Sequence, residues 1–189
     1  MGFWDALLGR RKPAQPDLDR LFALPSAAVT LQAGAGFAPT GTGSVCFAGA
    51  EGGAFARLEE EAELLLGEAG VEKDSYGYTW LRARHSPDDL PALVNDLHAV
   101  NTHLQDAGFG PQLLCSLVAF RDDGGRSLAL VYLYKRGTFY PFAPEPGGGQ
   151  RRNNALELQT RALLAGELPV EEDLGRWFPV WGAPGLDAD

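Results

Sequence analysis

The residues most able to do chemistry in this 189-residue chain are three histidines, two cysteines and a glycine-rich stretch. His98 and His103 are five apart on one helical stretch, so their side chains leave the helix about 140° apart. Two metal ligands on one helix need a spacing of three or four, and neither cysteine is close enough in sequence to complete a set. His85 stands apart from both. Cys46 and Cys115 lie in apolar, strand-like runs, Ser44–Phe47 and Leu114–Leu117. Small buried thiols suit such runs, and a disulfide would form only if the two strands were neighbours. A reactive thiol needs an electropositive, accessible setting, which an apolar strand lacks. Gly36 and Gly41 have the spacing of phosphate-loop glycines, but Thr42 replaces the lysine and a strand, not a helix, is expected to follow. No Gly-x-Ser-x-Gly elbow occurs. No catalytic residue, cofactor site or metal site is expected, and the protein is read as a non-enzyme.

Groups suited to binding are easier to find. The amino terminus runs Phe3, Trp4, Leu7 and Leu8 on one side of a short helix, followed by Arg10, Arg11 and Lys12. This order fits a weak, reversible anchor, with rings in the lipid boundary and cations on an anionic membrane surface. Docking into a protein groove is the competing use. Asn101 falls within about 20° of the centre of an apolar helical stripe. It either locks the helix to a neighbouring backbone or lines a pocket with His98 and the Tyr76, Tyr78 and Trp80 strand. Tyr140, Trp177 and Trp181 belong to an aromatic group that covers the sheet or forms part of a contact surface.

These side chains need elements to place them. Asp17–Leu24 reads as a short helix stopped by Pro25, Ala28–Gln32 as a strand, Gly34–Gly43 as a loop and Ser44–Ala48 as a second strand. Ala54–Gly67 carries Phe55, Leu58, Ala62, Leu65 and Leu66 at helical spacing, with Glu59, Glu60, Glu61 and Glu63 turned to water. Ser75–Arg84 alternates Tyr76, Tyr78, Trp80, Arg82 and Arg84 with smaller residues, giving one bulky face. Ser86-Pro-Asp-Asp89 caps a long helix that Gly108 closes. Leu113–Arg121, a turn at Asp122–Gly125 and Ser127–Lys135 form a hairpin, continued by Gly137–Phe142. Asn153 or Asn154 caps a last helix. The pattern is α+β: an antiparallel sheet of about five strands with helices packed mainly on one face.

Bulk composition bounds the partners. The formal net charge is −9, which argues against nucleic acid. No run approaches the length of a membrane span, and the apolar start precedes its basic residues, opposite to the export order. A cytoplasmic location is expected, peripheral at the inner membrane face if the leader binds lipid. Residues 1–16 read as an amphipathic segment and Pro-containing linker, 17–182 as one α+β domain and 183–189 as a tail. Oligomeric state is open, a dimer included.

Six stretches resemble the PspA-associated PspAB family: Met1–Gly9, Leu21–Ser26, Asp74–Trp80, Asp96–Asn101, Leu133–Phe142 and Arg176–Gly182. The resemblance implies a place in the envelope-stress system built around the membrane-remodelling protein PspA. It also implies PspA itself, or a membrane zinc protease of the HtpX type, as partner. No catalytic residue comes with the family. Two other classes stay open: a secretion-chaperone-like peptide-binding module, and a small-ligand sensor or enzyme with a pocket near Asn101.

Overall fold

A computed structural model describes residues 16–49, 52–66, 70–147 and 149–186. They form six strands, β1 (Ala38–Ala48), β2 (Gly70–Lys73), β3 (Tyr78–Arg84), β4 (Leu113–Arg121), β5 (Ser127–Leu133) and β6 (Thr138–Phe142). Four α-helices accompany them: α1 (Leu24–Ala35), α2 (Gly53–Leu64), α3 (Leu90–Leu104) and α4 (Asn154–Leu164). The strands make one antiparallel sheet in the order β2-β3-β1-β4-β5-β6. The α+β expectation holds, with six strands where about five were expected. The added strand is β2, four residues long, too short to show alternation in the sequence.

Two cores sandwich the sheet. The larger lies on the helical side, where Leu93, Val94, Leu97 and Val100 of α3 meet Val45 of β1, Val118 and Phe120 of β4 and Leu130 of β5. Asp89 starts α3 by accepting a hydrogen bond from the Ala92 N–H at 3.2 Å, satisfying one of the free donors of the first turn. Asn153 does the same for α4 through the Leu156 N–H at 3.0 Å. The smaller core lies on the opposite side. There Trp177, Val180, Ala183 and Leu186 of the irregular carboxy-terminal segment cover Leu117, Ala119, Ala129, Val131, Tyr140 and Phe142. Ala183 and Leu186, assigned from the sequence to a tail, are therefore core residues.

Two local expectations are overturned near the start. Ala28–Gln32 is not a strand but the middle of α1. Pro25 opens that helix instead of stopping the preceding turn, because proline fits the first helical positions, where its missing N–H costs nothing. Half of the Gly34–Gly43 loop is strand: α1 ends at Gly36, in a left-handed conformation, and β1 begins at Ala38. Of the glycines that read as loop, Gly43 lies under a helix. A Cβ on Gly43 would stand 3.1 Å from Leu97 and 3.3 Å from Leu93, so α3 can settle onto β1 only over a residue without a side chain.

Candidate functional site

Register decides which side chains share a side of the sheet. On the side away from the helices, β1 presents Thr42, Ser44 and Cys46 opposite Arg84, Arg82 and Trp80 of β3. On its other flank Cys46 faces Cys115, and Ser44 faces Leu117. The carboxy-terminal segment covers this side mainly over β4–β6, reaching Cys46 of β1 and Trp80 of β3 at its margin. The β2-β3-β1 half is left with a polar cleft of about 450 Å³.

The cleft has a low floor and tall walls. Its floor is β1 at Thr40, Gly41 and Thr42; Arg82 and Arg84 stand along β3, and Arg121 rises from the end of β4. The segment Gly182–Gly185 closes one end. Two glycines make this shape compatible with the chain. Gly41 has φ +81°, and a Cβ there would fall 2.2 Å from the His85 carbonyl oxygen. Gly185 has φ +86° and presses on Thr42, whose Cγ2 would meet a Cβ at 2.8 Å. The Arg82 guanidinium lies over Gly70 and pairs with Glu72 at 2.7 Å. Its Nε is buried without a hydrogen-bond partner among the described residues, as is Ser44 Oγ. Arg84 is exposed and makes no ion pair among the described residues. At the rim, His85 Nε2 meets Asp96 Oδ2 of α3 at 2.7 Å, which ties the cleft to the helical layer.

The residues singled out in the sequence divide between the two sides. Asn101 is buried on the helical side, where its amide donates to Leu97 O at 2.7 Å and Ser116 Oγ at 2.8 Å. It bonds the helix to β4 and lines neither large cavity. His98 lies on the outer side of α3 against Phe22, with Nε2 3.1 Å from Asp19. Trp80, Tyr140, Trp177 and Trp181 gather on the opposite side of the sheet. Tyr140 stacks on Trp177 and donates to Phe178 O at 2.7 Å; burial holds its hydroxyl well above the usual range. Tyr76 and Tyr78 are exposed at the β2–β3 turn, where both backbone N–H groups donate to Asp74 Oδ1 at 2.9 Å. Trp80 reaches the other oxygen of Asp74 through its indole N–H at 3.0 Å. Asn101 and His98 thus share no pocket with the Tyr76–Trp80 strand. Phe3, Trp4, Leu7, Leu8, Arg10, Arg11 and Lys12 lie outside the described residues.

Groups with catalytic potential are occupied elsewhere. Each histidine is paired with a carboxylate, His103 with Glu61 at 3.2 Å. Cys46 and Cys115 are free thiols in direct cross-strand register, in the same core as Tyr140 and Trp177. The hydrogen bond with Cys115, and then burial, push the Cys46 thiol far up, away from the thiolate a nucleophile requires. No group of three or more His, Cys, Asp or Glu side chains is arranged to hold a metal among the described residues. No helix among them is long and apolar enough to cross a membrane.

Arg82 and Arg84 were legible as the bulky, amphipathic edge of a strand, but not as a site. Their meeting with Arg121 depends on β1 lying between β3 and β4, a pairing with no local signal in the sequence.

No curated protein and no solved structure matches the chain. A family model does, over residues 1–185: PspA associated protein B. That span takes in all six strands, all four helices and the cleft, so the chain belongs to the PspAB family.

Proposed function

We propose that this protein is a non-enzymatic adaptor or regulator in a PspA-linked envelope-stress response. It acts at the cytoplasmic face of the membrane by protein–protein contact, with a PspA-type protein as first partner and an HtpX-type membrane protease as second. The observation that carries this reading is membership of the PspA-associated family along almost the whole chain. The chemistry of the folded body agrees with it: both thiols are buried, the Cys46 thiol is pushed far from its thiolate form, and the histidines are held by carboxylates. Exposed Tyr76, Tyr78 and Phe178 offer the aromatic surface that protein contacts favour.

The membrane arm rests on the leader from Phe3 to Lys12, whose apolar-then-basic order suits an anionic surface. Two experiments test the two arms separately. Tagged full-length protein retrieves the PspA-type protein from its native cell, and retrieval drops when Tyr76 and Tyr78 are both changed to Ser; absence of that partner from the eluate overturns the adaptor reading. Deleting Met1–Lys12 abolishes flotation with anionic vesicles while leaving the circular dichroism and melting of the folded body intact. Unchanged flotation removes the membrane arm alone.

A further inference from the structure

We propose that Cys46 and Cys115 form a redox modification site, at which a hydroperoxide closes a disulfide between β1 and β4. This goes beyond the partner reading and does not depend on it.

Three observations converge. The first is placement. Strands β1 and β4 are neighbours in the sheet, and Cys46 and Cys115 are direct Cα partners in their antiparallel ladder. Opposed residues share a side of the sheet. Their Cα atoms stand about 5.5 Å apart in a hydrogen-bonded pair and about 4.5 Å apart in a non-hydrogen-bonded one, and a disulfide spans about 4.4–6.8 Å. Either kind of pair can therefore be bridged, and the two thiols are already hydrogen-bonded to each other. The second is freedom to close. Opposed Cβ atoms lie about 4.5–5.5 Å apart, whereas a disulfide holds them at about 3.5–4.5 Å, so the strands must draw in. The ladder is irregular at this point: Phe47 pairs with Leu113, and Leu114 beside Cys115 is passed over. Such a bulge lets one strand bend while the pairing on either side persists. The third is asymmetry between the sulfurs. The hydrogen bond with Cys115, and then burial, keep the proton on Cys46. Cys115 is 8 % exposed and Cys46 3 %, and accessible surface is what a water-sized molecule can touch. Cys115 is thus the sulfur that meets the oxidant, and Cys46 the one that resolves it.

The setting selects the oxidant. Hydrogen peroxide is little larger than water, whereas a bulky disulfide has no entry to a core shared with Leu117, Tyr140 and Trp177. The Cys115 sulfur attacks one peroxide oxygen, the O–O bond breaks, and the departing hydroxide takes the Cys115 proton as water. Cys115 is then a sulfenic acid. The Cys46 sulfur attacks the Cys115 sulfur, the S–O bond breaks, and the second hydroxide takes the Cys46 proton as water. Two thiols have given up two electrons and two protons, and the peroxide has accepted both. The bridge carries no charge and no hydrogen-bond donor, so it suits the apolar core in which it forms.

The test is mass spectrometry of the full-length protein after exposure to hydrogen peroxide under native conditions, with peptide mapping before and after reduction. Wild type is expected to lose the mass of two hydrogens at its cysteines and to yield one peptide pair joined through Cys46 and Cys115, at protein concentrations too low for links between chains. In Cys46→Ala no second sulfur resolves the sulfenic acid, so Cys115 accumulates added oxygen. In Cys115→Ala, Cys46 remains a thiol over the same exposure. Circular dichroism checks that both variants are folded, and the wild-type map decides the matter alone if either is not. Two intact thiols in folded wild type, under peroxide that oxidises them in urea, would show inert core filler and overturn the proposal. Added oxygen without a bridge, or a bridge only between chains, also overturns it. Oxidation of Cys46 in folded Cys115→Ala as fast as that of Cys115 in Cys46→Ala overturns the assigned order.

Discussion

Tyr132 shows how one buried polar atom can set a pH limit. Its ring is enclosed in the helical-side core against Phe139, while its hydroxyl donates to the Asp17 carbonyl at 2.8 Å. Burial, reinforced by the Asp17 carboxylate, raises its pKa from the ordinary 10.0 to about 12. The folded state therefore keeps a proton that the unfolded chain gives up first. The stabilisation is complete below pH 10 and is lost as pH rises toward about 12. Urea denaturation along an alkaline series should show wild type losing more stability than Tyr132→Phe in that window; parallel curves would mean the phenol is not linked to folding. At neutral pH the same substitution costs about 1 kcal/mol, the net worth of a hydrogen bond. Asn101 belongs to the same class of residue. Its polarity in the middle of an apolar stripe was visible in the sequence, but whether it faced a cavity or a neighbour was not. That depended on Ser116, fifteen residues away on β4, facing α3.

Arg152 joins α4, β6 and the carboxy-terminal segment. It pairs with buried Glu157 of α4 at 2.8 Å, donates to the Trp177 carbonyl and lies 5.1 Å from the centre of the Phe142 ring on β6. Glu157 also accepts from the Ala143 N–H at 2.9 Å. Arg152→Met keeps much of the apolar stem but strands the carboxylate in the interior, for an expected loss of about 3–5 kcal/mol. Chemical denaturation measures it, and Arg152→Met combined with Glu157→Gln should recover part of the loss, because no buried charge is left unpaired. A double variant no more stable than the single one would place the role of Arg152 in its other contacts. Elements with strong local signals could be read directly from the sequence. Helices α3 and α4 announced their caps at Asp89 and Asn153, and the β4–β5 hairpin announced its turn at Asp122–Gly125. Where the signal was ambiguous, tertiary packing decided. Proline 25 serves equally as a helix stop or a helix start, and Ala28–Gln32 became helix because Ala28 and Leu31 reach the same core as Leu24. Only the Ser44–Ala48 half of strand β1 was legible; the first half was concealed by its own glycines, one of which, Gly43, α3 requires in order to pack.

Across the molecule the sheet divides two kinds of work. Its helical side is covered by apolar side chains and supplies the larger core. Its other side is covered only where the carboxy-terminal segment crosses it, and the remainder is polar and basic. Composition foretold the first property and obscured the second: a net charge of −9 averages away a local cluster of arginines. The cleft needs three strands in one order, so no window of sequence contains it. The carboxy-terminal segment, read as a peripheral cover and tail, is both the lid of a second core and the end wall of the cleft. Whatever lifts it would expose apolar sheet and open the cleft at the same time.

The thiols of Cys46 and Cys115 give that movement a natural gauge. They face each other within the core that also holds Trp177, and both are buried. An alkylating reagent can reach them only after the aromatic strap has swung away, so the rate of modification counts openings of the strap. If the strap controls access, Tyr140→Phe, which removes the 2.7 Å bond to the Phe178 carbonyl, will speed alkylation without altering the intrinsic reactivity of either sulfur. Modification at an unchanged rate would show that this bond does not hold the strap in place.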